Sequence, residues 1–184
     1  MPGKLPKVHF RHVGIHATDL DRLVGFYKNV LGFLESDSGM ASFGNRLVFM
    51  TQDVEEHHQF VIFDGRPEEI DYNPINQLSF KLESLADLKT FDGVLKEAGI
   101  EGAIATDHGN AWSLYFPDPE GNFVELYVDS PFYTPQPCKA PLDLDDSEDE
   151  ILATTESLCR SRPDFLTRSQ WQERLHERIA AERP

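Results

Sequence analysis

Residues 8–17, VHFRHVGIHA, alternate along the chain: Val13 and Ile15 fall on one face and His12, Gly14 and His16 on the other, the two-residue period of a β-strand. From Asp19 to Val30 the apolar positions Leu20, Leu23, Val24, Tyr27 and Val30 recur at helical spacing, and Gly32 is placed to end the helix after Leu31. This predicts a βα unit. A shift of 65 residues finds the pattern again in QLSFKLESLADLKTFDGVLKEAG, with Leu20 matched to Leu85, Leu23 to Leu88 and Phe26 to Phe91. Strand parity matches too: Leu78, Phe80 and Leu82 form the apolar face, and Gln77 takes the place of His12.

Strand-like segments follow each helix, RLVFMTQD and HHQFVIFDG in the first half and WSLYFPDPEGNFVELYVD in the second, the last a hairpin turning at DPEGN. A shift of 67 residues superposes Leu47 on Leu114, Phe49 on Phe116 and His58 on Glu125. Each half therefore reads as a strand, a helix and a small antiparallel sheet, and two such halves related by an approximate two-fold cover each other's open edges. That pairing is expected to converge His12, Gln77, His58 and Glu125.

A single strand histidine is most simply a hydrogen-bonded structural residue. Glu125 asks for more. It interrupts Val124, Leu126 and Val128, and burying an ionised carboxylate costs several kcal/mol unless a cation or hydrogen bonds compensate. Two imidazoles, a carboxylate and open positions suit non-haem Fe(II), and Zn(II), Mn(II) and Ni(II) accept the same donors. The Gln77 amide oxygen is a weaker neutral ligand or a hydrogen-bonding cavity residue.

The motifs HVGIHATDLDRLVGFYKNVLGF and LYFPDPEGNFVELY resemble those of the vicinal oxygen chelate superfamily, which includes glyoxalase I, fosfomycin and bleomycin resistance proteins and type I extradiol dioxygenases. The resemblance runs from Val8 to Asp129. It implies an α+β fold of two βαβββ modules, about 8–66 and 74–129, paired about a pseudo-two-fold into a half-open barrel around a metal cavity. A proline-rich, acidic linker (130–150) and a helical C-terminal extension (151–184) complete the expected organisation.

Within the superfamily the chain looks most similar to the extradiol enzymes. Their first-strand histidine ligand matches His12, their last-strand glutamate ligand matches Glu125, and their active-site tyrosine matches Tyr115. His108 approximates a further loop histidine, and the second histidine of EHHQFVIF nominates His58 as acid/base. The chain departs from the pattern at Gln77, where the family has a histidine ligand. Either Gln77 ligates and His58 is acid/base, or His58 becomes the second ligand; the stronger donor character of imidazole favours the latter. The resemblance implies a ring-cleaving dioxygenase that uses Fe(II), or another of those divalent metals, and O2 on a catecholic aromatic. A glyoxalase-like isomerase or lyase and a metal-free binding protein of the resistance type are the alternatives.

A net charge of −15 argues against nucleic acid and anionic membrane surfaces as partners, and no run approaches the ~20 apolar residues of a membrane span. Cys138 and Cys159 read as free thiols, and MPGKLPKVHF lacks an apolar export core, so a reducing cytoplasm is expected. In the tail, DLDDSEDE carries six acids and reads as solvated, partly extended chain. Two helices are expected after it. Thr167 with Gln170 forms a capping box for the second, and Trp171, Leu175 and Ile179 give it an apolar stripe. That stripe needs cover, from the same domain or from the second copy of a homodimer.

Overall fold

The computed structural model describes residues 8–42, 44–68, 73 and 75–182. Residues 1–7 of the N-terminal stretch and residue 74, the expected start of the second module, lie outside them. The first module runs β1 (Val13–His16), α1 (Leu20–Asn29), β2 (Leu34–Met40), β3 (Arg46–Thr51) and β4 (Phe60–Phe63), in sheet order β1-β4-β3-β2. The second runs β5 (Leu78–Lys81), α2 (Leu85–Glu97), β6 (Ile104–Asp107), β7 (Ala111–Pro117) and β8 (Phe123–Asp129), in order β5-β8-β7-β6. In both, the first strand pairs parallel with the last. The fold is α+β, and the shift of 65 residues carries β1 onto β5 residue for residue.

The chain divides into two compact units, one built on Lys7–Asn76 with Pro117–Phe123 and the other on Gln77–Phe116 with Val124–Pro184. In the first, Asp19 caps α1 by accepting from the Arg22 amide, and Leu20, Leu23 and Tyr27 form the buried stripe of the helix. The Tyr27 ring lies 4.6 Å, centroid to centroid, from Phe60. Its buried hydroxyl needs an acceptor and donates to Asp118 Oδ2 at 3.1 Å. The predicted turn DPEGN thus serves this unit: Glu120 Oε1 accepts from the Thr18 and Asp19 amides at the start of α1. In the second unit Ser84 caps α2, which buries Leu85, Leu88 and Leu95.

Strand register corrects one equivalence drawn from the sequence. Gly14 pairs with Val61 across β1 and β4, as Ser79 pairs with Glu125 across β5 and β8. Val61, not His58, therefore holds the first-module place of Glu125. The cause is loop length: eight residues, 52–59, separate β3 from β4, and only five, 118–122, separate β7 from β8. His58 lies in the longer loop.

Residues 130–150 are more ordered than a solvated linker. They contain β9 (Phe132–Tyr133) and β10 (Ala140–Pro141), the latter extending the second sheet against β6. Helix α3 (Glu148–Arg160) starts inside the acidic run, where Ser147 and Glu150 form a capping box and Glu148, Asp149 and Glu150 occupy the first turn. Carboxylates there complement the positive end of the helix dipole. Then β11 (Leu166–Thr167) pairs with β9 and leads into α4 (Arg168–Glu182). The Thr167–Gln170 capping box forms, and Trp171 stacks on Tyr133 at 5.4 Å. Leu175 is half-buried and Ile179 is 48% exposed, so the stripe loses cover along the helix. Cys138 and Cys159 are buried free thiols. Among the described residues no helix is long and apolar enough to cross a membrane.

Candidate active site

Glu125 points from the middle of β8 and is almost completely buried. Within its unit the carboxylate meets neutral donors: Gln77 Nε2 at 2.7 Å and Ser79 Oγ at 2.5 Å on Oε2, and the Tyr115 hydroxyl at 2.5 Å on Oε1. Gln77 also donates to Ser79 Oγ at 2.9 Å. The strands explain the convergence: Ser79 lies opposite Glu125, and Gln77 and Ser79 are two residues apart and share a face. Burial first, and then the hydrogen bond to Glu125 and its charge, push the Tyr115 hydroxyl up to about 12. It is a proton donor at neutral pH.

Beyond Tyr115 the chain of hydrogen bonds continues to His108, whose Nε2 lies 3.0 Å from the tyrosine oxygen. The other ring nitrogen, Nδ1, meets the Cys138 carbonyl at 2.7 Å. Ser79, His108, Tyr115 and Glu125 line a cavity of about 390 Å³ in this unit, together with Asn110, Ser113, Tyr127 and Gln136. Ser113 Oγ is buried with no hydrogen-bond partner among the described residues. Sequence reasoning named Gln77, His108, Tyr115 and Glu125 but missed their wall. Ser113 and Tyr127 each stand two residues from a named residue on the same strand, and Ser79 two residues from Gln77 just before β5, so the strand period could have found them. Gln136 follows the superfamily-like region and carried no such signal.

The other two candidates meet each other in the first unit, where the His12 and His58 rings lie 4.5 Å apart. His58 also packs on Phe49 at 4.8 Å, and its Nδ1 lies 3.0 Å from His57 Nδ1. Burial, with charge repulsion from His12 and His57, lowers the His58 pKa and favours the neutral ring. His57 is the more exposed of the adjacent pair, 4.0 Å from Asp37. Of the four residues expected to converge, the structure shows contacts within two pairs, Gln77 with Glu125 and His12 with His58. Among the described residues no three His, Cys, Asp or Glu side chains form a metal-holding group.

Comparison with known proteins adds to this geometry. The family described as Glyoxalase/Bleomycin resistance protein/Dioxygenase superfamily matches residues 9–126. Biphenyl-2,3-diol 1,2-dioxygenase 2 of Rhodococcus globerulus is 34% identical over 136 residues, 71% of this chain and 67% of that protein. Biphenyl-2,3-diol 1,2-dioxygenase 3 of the same organism is 32% identical over 130 residues, 68% of this chain and 65% of that protein. The matched stretch thus spans about two thirds of each relative. Among solved structures, a glyoxylase/bleomycin resistance protein/dioxygenase domain from Frankia sp. EAN1pec superposes with a TM-score of 0.57 at 22% identity, covering 68% of this chain and 93% of that one.

Proposed function

Because the chain belongs to the glyoxalase/bleomycin resistance protein/dioxygenase superfamily, we propose that it is a metal-dependent extradiol-type dioxygenase that opens a catecholic ring with O2. The observation that carries this reading is the hydrogen-bonded series Glu125, Tyr115, His108 on the wall of that cavity. Relatives identical at about a third of the aligned positions and named as biphenyl-diol dioxygenases support the substrate class.

The donor chemistry fits a divalent ion. Glu125 is a buried carboxylate compensated within its unit by neutral donors, and such a group gains from a cation. In their unit Glu125 and Gln77 would hold the ion, and His12 is the first-strand ligand that the resemblance implies. When bound, Fe(II) would supply Lewis acidity and open positions for the two vicinal oxygens and O2. Gln77 is preferred to His58 on two grounds: its side chain lies beside Glu125, where turning the amide would exchange the Nε2 hydrogen bond for an Oε1 ligand, and the equivalence that promoted His58 belongs to Val61. His58 is then free to accept a proton from a substrate hydroxyl. Tyr115 donates a hydrogen bond to developing negative charge, and His108 supplies or removes the proton behind it.

Placing apolar Val61 opposite Gly14 also removes the second strand carboxylate that enediolate chemistry would use, so the isomerase reading gains no support. Oxygen uptake with a panel of catechols tests the proposal on iron-loaded protein. Ring-opening turnover should fall about 10²–10⁴-fold in Tyr115→Phe, with metal content unchanged. Absence of oxygen-dependent turnover in the fully loaded wild type would sink it.

A further inference from the structure

The His108 ring is held from outside the region that matches the superfamily, residues 9–126. Its Nδ1 meets the Cys138 carbonyl at 2.7 Å, and its backbone carbonyl accepts from Gln136 Nε2 at 2.8 Å. The same amide nitrogen reaches Asn110 Oδ1 at 3.1 Å, and Gln136 Oε1 accepts from the Cys138 amide at 3.0 Å. Gln136 thereby ties the 136–138 turn to the 108–110 turn.

Arg162, just past α3, clasps that turn from the other side. Its Nε donates to Thr134 Oγ1 at 3.1 Å, and its Nη2 to the carbonyls of Pro135 and Pro137 at 3.1 and 3.0 Å. Three acceptors around one planar guanidinium fix the loop more tightly than a flexible ammonium could. Helix α3 is anchored in turn beneath the histidine. Thr155 Oγ1 lies 2.7 Å from both Asp107 Oδ2 and Trp112 Nε1, while Asp107 Oδ1 accepts from the Gly109 amide at 2.7 Å.

We propose that the C-terminal extension is a positioning device for His108, in which Arg162 and Gln136 hold the Cys138 carbonyl against Nδ1 and so fix the ring tautomer that presents Nε2 to Tyr115. A carbonyl oxygen only accepts, so Nδ1 carries the proton. In the neutral ring Nε2 is then the lone-pair nitrogen, 3.0 Å from the Tyr115 oxygen, so the single tyrosine proton has two acceptors to choose between, Nε2 and Glu125 Oε1. Without the clasp the imidazole can exchange tautomers and rotate away from the tyrosine. Arg162 and Gln136 thus act on the chemistry through His108. Their value for turnover rests on the dioxygenase reading, but the tautomer they impose does not.

The test is ¹⁵N NMR of the full chain labelled at histidine, metal-free to avoid paramagnetic broadening, with His108 assigned by its loss in His108→Asn. Wild type should show His108 as the Nδ1–H tautomer. Arg162→Ala should shift it towards exchange between tautomers. Gln136→Leu, which leaves the arginine clasp intact, should do the same and serves if Arg162→Ala fails to fold. In iron-loaded protein both variants should lower kcat by about tenfold or more with KM changed little, and Arg162→Lys should not restore it. An Nε2–H tautomer in wild type overturns the proposal, as does a tautomer unmoved in both variants. A tautomer change without loss of kcat overturns the claim that the clasp serves turnover. If wild type opens no catechol, the functional reading fails and the tautomer measurement still decides whether the clasp works.

Discussion

Val61 stands opposite Gly14 in the first module as Glu125 stands opposite Ser79 in the second, so one register position carries a valine in one half and a buried carboxylate in the other. This asymmetry concentrates metal-binding capacity on the second-module strands, where Gln77 is bonded to Glu125. Gln77→His should tighten the divalent ion, because imidazole is a better donor than an amide to mid-row metals. Glu125→Ala should weaken it by more than the roughly 10–100-fold usual for loss of an outer-shell partner. Competitive titration with a chelator of known affinity measures both. Unchanged affinity in Gln77→His would remove Gln77 from the ligand set and return His58 to it.

Periodicity was enough to read the modules. The helix stripe at Leu20, Leu23 and Tyr27 and the β1 and β5 parity lie in local sequence, and the structure buries those helix side chains accordingly. The repeat offset survives from β1 to β5 but drifts across the hairpins. A longer β3–β4 loop adds three residues to the first module, eight against five, and continuing a fixed offset through it placed His58 on Glu125. Offsets are reliable within elements and unreliable across loops, because insertions accumulate where the backbone is exposed. The support of His108 was hidden for another reason. Gln136, Cys138 and Arg162 act through side-chain amide, backbone carbonyl and guanidinium contacts between segments distant in sequence, and none of these leaves a periodic trace. Six acids read as a solvated run concealed the Ser147–Glu150 capping box, because charge density masks a helix start whose signal is one hydroxyl three residues before a carboxylate.

Gly109 is a point where the clasp leaves no room. It adopts φ +75°, and a Cβ there would lie 2.6 Å from the Thr134 methyl carbon and 2.9 Å from Cys159 Sγ. Gly109→Ala combines a left-handed backbone without glycine and an overpacked contact, and is expected to cost about 2 kcal/mol or more in unfolding free energy. Urea denaturation gives the value. The same substitution at Gly121, also left-handed (φ +76°) but with no heavy atom within 4 Å of where a Cβ would sit, isolates the backbone share and should cost less. Equal losses at both sites would mean that the contact with Thr134 and Cys159 contributes nothing.

Asp107, beneath the His108 turn, gives the fold a pH dependence whose sign follows from its surroundings. Burial raises its pKa, against the opposing hydrogen bonds from Thr155 and Gly109. A folded-state pKa above the unfolded value of about 3.9 means that the native protein holds the proton more firmly. The resulting stability is fully present below that unfolded value and is lost as pH rises through the folded pKa. Asp107→Asn removes the titration and keeps plausible partners: its oxygen can accept from Gly109, and its amide can donate to Thr155 Oγ1 while that hydroxyl donates to the Ile151 carbonyl, 2.9 Å away. Denaturation of both proteins from about pH 4 upward should therefore show wild type losing stability relative to Asp107→Asn. Asp118, whose pKa burial also raises, is common to both proteins and cancels in the difference. A difference that instead grows in favour of wild type with rising pH would mean that the hydrogen bonds outweigh burial and the carboxylate is stabilised in its ionised form.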